Sequence, residues 1–242
     1  MDAVTELSQI INGSDNIVFF GGAGVSTESG IPDFRGSGGL YTSHNDAAVS
    51  PETILTARYM MTHPAEFFRY YVSHMLHPTA EPNRAHTALA ELEKRGKLKA
   101  VITQNIDALH QKAGSVNVLE LHGSSSRNYC IGCGKSFPTD FILNARPYPK
   151  CTSCGHLVRP DVVMYGEPLN GAVFESAERY IRYADVLIVG GTSLTVYPAC
   201  SLVDAFSGSH FIIINKTPTP YDRYAEFVIN APIGDTLHDA VF

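Results

Sequence analysis

A series of short apolar runs limits the folds open to this chain more than any other feature. They fall at residues 17–20, 100–103, 116–121, 186–189 and 211–214, with a weaker sixth at 228–229, and turn-forming residues bound them. Continuous apolar runs this short read as strands buried on both faces. Helical patterns at 84–95, 107–113, 171–183 and 198–206 separate most of them. Strand and helix in alternation give a mostly parallel sheet with helices on both sides, a doubly wound α/β fold. In such sheets ligands bind beyond the carboxyl ends of the strands, where the strand order reverses. Val4, Leu7, Ile10 and Ile11 add an amphipathic helix over 2–12, stopped at Asn12-Gly13.

Two stretches break the alternation. Residues 36–80 are polar loop sequence and then an aromatic-rich helical pattern from Ala65 to Leu76, with no strand signal. Residues 123–160 are rich in Cys, Pro and Gly. Both read as insertions that build a smaller lobe beside the cleft. Hydrophobic residues at 44% and charged residues at 17% suit a globular chain. Eighteen Lys and Arg against 24 Asp and Glu leave a net charge of −6, which argues against a direct nucleic-acid binder or a polybasic membrane anchor. The start, MDAVTELSQI, lacks the apolar core of a signal peptide, and no apolar run is long enough to span a bilayer. A cytoplasmic location is therefore expected, where five cysteines favour metal or catalytic roles over disulfides.

Gly21-Gly22-Ala23-Gly24 follows the first strand directly. Missing side chains let backbone N–H groups approach phosphate oxygens, and a following helix N-terminus would add a favourable dipole. The dinucleotide pattern G-x-G-x-x-G is only partly met, because Thr27 stands at the third position and no acid-tipped second strand follows. A tight strand-to-helix turn remains the plain alternative. Phe34 could shield a reactive intermediate and Arg35 could grip a phosphate, or the pair could be a core-closing aromatic and a surface charge. Thr103-Gln104-Asn105-Ile106-Asp107 and His122 each follow a strand, as do Gly190-Gly191-Thr192-Ser193-Leu194 and Asn215. Asn105 or Asp107 could instead cap the helix that carries His110. His122 could act as a general base. Most of the other histidines, His74, His77, His86 and His110 among them, read as surface or satisfied structural residues. Four strands ending in polar or glycine-rich groups together favour an extended nucleotide ligand.

Cys130-x-x-Cys133 and Cys151-x-x-Cys154 are separated by 17 residues. Two such turns facing each other give a tetrahedral sulfur site, the pattern of a structural zinc with no open position for catalysis. The alternative is two unrelated thiol pairs. His156 reads as a bystander and Cys200 as a buried core thiol.

These motifs, GAGVSTESGIPDFRG, TQNIDALH, LHG, the two C-x-x-C pairs, RPDVVMYGE and GTSLTVYP, run in order from residue 22 to 198 and resemble the sirtuins, NAD-dependent protein-lysine deacylases, in their compact bacterial form. The resemblance implies a Rossmann-like NAD-binding domain of residues 1–35, 84–122 and 161–242. It also implies a helical insertion with the cofactor loop at 36–83 and a zinc module at 123–160. It implies NAD contacts at Ala23, Thr27, Phe34, Arg35, Gln104, Ile106, Asp107 and His122, with Thr192, Ser193, Asn215 and Ile233 around the adenosine half. His122 would be the general base, with Asn105 and Asp107 beside it as catalytic groups. Val163, Tyr165, Gly166 and Glu167 on one side, and Leu194 to Val196 on the other, would clamp an acylated-lysine peptide as an added strand.

In the implied reaction the acyl oxygen attacks the nicotinamide ribose, nicotinamide leaves, and the acyl group ends as O-acyl-ADP-ribose. NAD is thus a consumed co-substrate, and ADP-ribosyl transfer or NAD hydrolysis would use the same site. Members that prefer succinyl or malonyl groups carry Tyr-x-x-Arg. Here the segment reads Tyr71-Val72-Ser73-His74, which favours acetyl or another uncharged acyl group.

Overall fold

The computed structural model describes residues 2–34, 36, 39–41 and 49–242. The predicted α/β core is present. The strands are β1 (Ile17–Gly21), β2 (Leu98–Thr103), β3 (Val118–Glu120), β4 (Gly123–Cys130), β5 (Ser136–Phe137), β6 (Val158–Val162), β7 (Val186–Gly190), β8 (His210–Ile214) and β9 (Phe227–Ile229). Six of them form one parallel sheet in the order β3-β2-β1-β7-β8-β9. The chain builds outward from β1 on one side, returns, and builds outward from β7 on the other. The order therefore reverses between β1 and β7, where Gly21 pairs with Thr103 on one edge and Gly190 on the other. Ile17 and Phe19 alternate with Val18 and Phe20 between the two faces, each fully buried.

The helices are α1 (Ala3–Gly13), α2 (Pro51–Ile54), α3 (Ala57–Thr62), α4 (Pro64–His74), α5 (Arg84–Lys94), α6 (Leu109–Ala113), α7 (Thr139–Asn144), α8 (Gly171–Tyr183) and α9 (Ile233–Val241). Helices α1, α5 and α9 cover one face of the large sheet, and α8 with a 3₁₀ segment covers the other. Strands β5-β4-β6 form a small antiparallel sheet. It shares an apolar core with α3 and α4, in which Met60, Phe67, Phe68 and Tyr71 pack with Phe137, Ile142, Val158, Val162 and Met164. Among the described residues no helix is long and apolar enough to cross a membrane.

Four local expectations are corrected. The predicted helix at 198–206 is a 3₁₀ helix, Ala199–Ala205. The helix predicted from 107 begins at Leu109, because Ala108 takes a left-handed conformation (φ 60°) and Asp107 turns the chain. The third strand is shorter than 116–121: Val116 is 87% exposed and lies outside it. The glycine-rich loop leads into two three-residue 3₁₀ turns, Ala23–Val25 and Thr27–Ser29, not into an α-helix. The helix dipole expected there is correspondingly absent, and the loop depends on outside contacts to hold its shape.

Candidate active site

The two strands that flank the reversal end in glycine, and their loops touch backbone to backbone. Gly24 N–H donates to the Gly191 carbonyl at 2.7 Å. A Cβ on Gly24 would sit 2.7 Å from Gly191 Cα, so the approach requires glycine. Gln104, beyond β2, lies across the same junction. Its Oε1 accepts from Thr192 Oγ1 at 3.0 Å. Its Nε2 is buried and has no partner among the described residues. An orphaned donor at a strand-end crevice fits a bound acceptor, such as a carbonyl or hydroxyl oxygen of a nucleotide ligand.

Gln104 also fixes the histidine. His122 Nδ1 lies 2.8 Å from the Gln104 carbonyl oxygen, which can only accept, so Nδ1 carries the proton. Nε2 is left as the basic atom. Burial lowers the His122 pKa below the ordinary 6.5, and the Gln104 carbonyl opposes that shift. The imidazole is therefore neutral at pH 7 with a defined tautomer, as a general base requires.

Asn105 and Asp107 meet through Ser26 of the glycine-rich loop. Ser26 donates to Asp107 Oδ2 at 2.6 Å and accepts from Asn105 Nδ2 at 3.0 Å. Asp107 Oδ1 accepts from Leu109 N–H at 2.9 Å, so the capping role considered from sequence coexists with the loop contact. Ile106 offers its carbonyl to Ser125 N–H at 2.9 Å and packs against the small-lobe core. Ala23 and Thr27 lie in the two turns, where Thr27 Oγ1 donates to the Gly24 carbonyl at 2.9 Å. Phe34 is half-buried and sits edge-on to Tyr41, with ring centroids 5.5 Å apart. Arg35 lies outside the described residues.

On the β7–β8 side, Thr192 is nearly buried and Ser193 Oγ pairs with Thr195 Oγ1 at 2.8 Å. Asn215 turns its Nδ2 back to the Thr217 carbonyl at 2.7 Å. Ile233 is buried at the start of α9, and a Cβ on Gly190 would collide with its Cδ1. Val163 N–H donates to the His122 carbonyl at 3.0 Å, which brings the 163–167 segment to the histidine. Tyr165 N–H donates to the Leu55 carbonyl, and its hydroxyl meets that of Tyr41. Gly166 has φ 85°. Both Glu167 oxygens are engaged inside the segment, by Arg159 at 2.7 and 2.9 Å and by Met164 N–H at 2.8 Å. Glu167 thus shapes the loop, and the N–H groups of Val163, Met164, Tyr165 and Glu167 all donate within the protein, which leaves the segment's carbonyls and the Gly166 N–H for a ligand. Leu194 is buried in the core with φ 52°, while Val196 is half-buried.

The four sulfurs of Cys130, Cys133, Cys151 and Cys154 lie within 4.8 Å of one another. Cys130 and Cys154 are 3.4 Å apart and Cys133 and Cys151 are 3.6 Å apart, close to the edge of a tetrahedron with Zn–S bonds of about 2.3 Å. The two turns match: Gly134 N–H donates to the Cys130 carbonyl and Gly155 N–H to the Cys151 carbonyl. His156 is exposed and outside the cluster, and Cys200 is fully buried. All five cysteines are unpaired.

Sequence reasoning missed what four residues do. Ser26 joins Asn105 and Asp107. Asn83, the N-cap of α5, reaches the glycine-rich loop; an Asn just before a helical pattern is the signal that could have found it. His86 and His110 are not surface residues, being 0% and 1% exposed with ring centroids 4.7 Å apart. His86 Nδ1 is satisfied, accepting from the Asn83 N–H at 3.3 Å. Among the described residues His86 Nε2 and both His110 nitrogens have no hydrogen-bond partner.

The chain is 54% identical over 238 residues to an NAD-dependent protein deacetylase of Clostridium tetani, covering 98% of this chain and 96% of that protein. It is 49% identical over 242 residues to one of Clostridium acetobutylicum, covering 100% and 99%. A solved Sir2 homologue in complex with ADP-ribose matches with a TM-score of 0.89 at 40% identity, covering 100% of this chain and 95% of that one. A Sir2 protein with a deacetylated p53 peptide and 3'-O-acetyl ADP-ribose matches at 0.88 and 37%, covering 97% and 95%. The Sir2 family model spans residues 22–198, the stretch that holds both the crevice and the cysteine quartet, and the chain is a member of the Sir2 family.

Proposed function

We infer that the chain removes acetyl or other uncharged acyl groups from lysine side chains of proteins or peptides, with NAD as co-substrate. The observation that carries this reading is the fixed tautomer of His122, neutral with Nε2 basic, held by Gln104 at the strand ends where the Gln104 side chain also meets Thr192. The names of relatives around half identical to it support the same reading.

NAD supplies an activated ribose carbon, whose bond to nicotinamide is broken, and an ADP-ribose acceptor for the acyl group. The chain's residues do the rest. Ala23 and Thr27 line the loop that receives the phosphates and ribose, with Arg35 as a phosphate partner. Phe34 shields the reacting carbon from water. Gln104, Ile106 and Asp107 hold the nicotinamide half, with Asn105 and Asp107 oriented through Ser26. Thr192, Ser193, Asn215 and Ile233 hold the adenosine half. His122 Nε2 takes a proton from a ribose hydroxyl. The backbone of Val163, Tyr165, Gly166 and Glu167, with Val196 opposite, receives the peptide as a strand, which gives affinity with little sequence preference. Residues 1–35, 84–122 and 161–242 supply the NAD-binding domain, 36–83 the helical insertion and 123–160 the zinc module, whose four thiolates leave a bound zinc no open position.

An uncharged acyl group suits α4. Tyr71 is 1% exposed and stacked on Phe67, and His74 is stacked on Tyr70, so neither supplies the fixed cation that a carboxylate-bearing acyl group needs. Unpaired cysteines fit the reducing cytoplasm.

Incubation with an acetyl-lysine peptide and NAD, followed by mass spectrometry, tests the reading. Equal amounts of deacetylated peptide, nicotinamide and O-acetyl-ADP-ribose are expected. Nicotinamide release with the acetyl group intact would overturn it in favour of ADP-ribosyl transfer or NAD hydrolysis.

A further inference from the structure

We propose that Asn83 is a positioning residue for the NAD reaction, whose side-chain amide latches both 3₁₀ turns of the glycine-rich loop to the N-terminus of α5. This rests on the NAD-dependent reading above. Asn83 divides its side chain between two tasks. Oδ1 accepts from Ala85 N–H at 2.9 Å and caps α5. Nδ2 donates to the Val25 carbonyl at 2.7 Å and to Ser29 Oγ at 3.0 Å. Capping needs only an acceptor, which Ser or Asp supplies as well. The amide NH₂ is surplus to the cap, and both its bonds go to the loop.

The loop needs such a contact. Its two 3₁₀ turns are short, and 3₁₀ bonds are poorly aligned. It is pinned from four directions: by Gly24 N–H to the Gly191 carbonyl, by Ser26 to Asp107, by Glu28 Oε1 accepting from Gly234 N–H of α9 at 3.0 Å, and by Asn83. Val25 and Ser29 bracket Ser26 and Thr27, so the Asn83 bonds fix both ends of the segment that carries a proposed NAD contact and the Asn105–Asp107 bridge. Without them the loop samples open forms, and apparent NAD affinity drops by the fraction still closed.

The test compares wild type with Asn83→Ser and Asn83→Asp, which both keep a capping acceptor and lose the amide NH₂ that reaches the loop; Asp has no donor at all, and the shorter Ser hydroxyl has a single one. NAD affinity by calorimetry, KM for NAD and for an acetyl-lysine peptide, and hydrogen exchange at Ser26, Ser29 and Gly30 are read together. About ten-fold weaker NAD binding is expected from loss of the two hydrogen bonds. The peptide KM should stay unchanged and the loop amides should exchange faster. The Tm should fall by no more than about 4 °C, less than for Asn83→Ala, which loses the cap too. NAD affinity equal to wild type in both variants, whatever their Tm, would reduce Asn83 to a helix cap and overturn the proposal. Wild type that binds no NAD would instead overturn the functional reading beneath it.

Discussion

Lowering the pH from 7 to 5 should destabilise this protein through two imidazoles that the fold keeps neutral. Burial lowers the His86 pKa to about 4, against the pull of Asp107, and lowers that of His110 to about 3, with His86 adding to the shift. An unfolded chain protonates both near 6.5. Below that value the unfolded state binds more protons than the folded one, so stability is fully present above about pH 6.5 and is lost as the pH falls toward the folded values. At pH 5 each histidine contributes about 2 kcal/mol of this loss, and the pair about 4 kcal/mol. The figure is set by the unfolded pKa and changes little with how far below 5 the folded values lie. Urea unfolding at pH 7 and pH 5, for wild type and His110→Leu, measures it. The variant should lose about 2 kcal/mol less than wild type between the two pH values, since Leu cannot titrate beside Phe19 and His86. Comparing the two proteins cancels the acid sensitivity of carboxylates, other histidines and the cysteine quartet. Equal losses in both would refute the argument.

His122→Ala should lower the deacylation rate by a factor of about 10²–10⁴ while NAD binding stays within a few-fold, checked by steady-state kinetics and calorimetry. Because burial holds the His122 pKa low, the acid limb of kcat/KM should have its midpoint below 6.5, with activity lost as Nε2 protonates; a midpoint above 6.5 contradicts the assignment. Cys130→Ser removes one of four sulfurs and should abolish stoichiometric zinc retention and loosen the small lobe, measured by metal analysis and by limited proteolysis. Gly24→Ala forces a Cβ onto the Gly191 backbone, which cannot rotate away, and should cost about 1–3 kcal/mol in thermal unfolding and weaken NAD binding.

The large sheet was legible because burial on both faces leaves an unbroken apolar run, and β1, β7 and β8 carry such runs. The cysteine quartet was legible because ligand chemistry fixes both residue type and spacing. The ends of elements were less so. Ala108 adopts a left-handed conformation with no glycine to announce it, and the segment after the first glycines folds as 3₁₀ turns under tertiary contacts. His86 and His110 look like ordinary helical polar residues, and only the packing of α5 against α6 reveals that they are buried together. Asn83 advertised its cap but not its reach, because its loop partners are 54 and 58 residues away in the chain.

The apolar core common to α3, α4 and the small sheet bears on protein engineering. Phe137, Ile142 and Val158 are sealed by Phe67, Phe68 and Tyr71 from a distant part of the sequence. A graft of the metal-binding segment from a relative would therefore bring only half of an interlocking surface. Exchanges between family members should succeed when α3 and α4 travel with it, and should yield sticky, aggregation-prone chimeras when they do not.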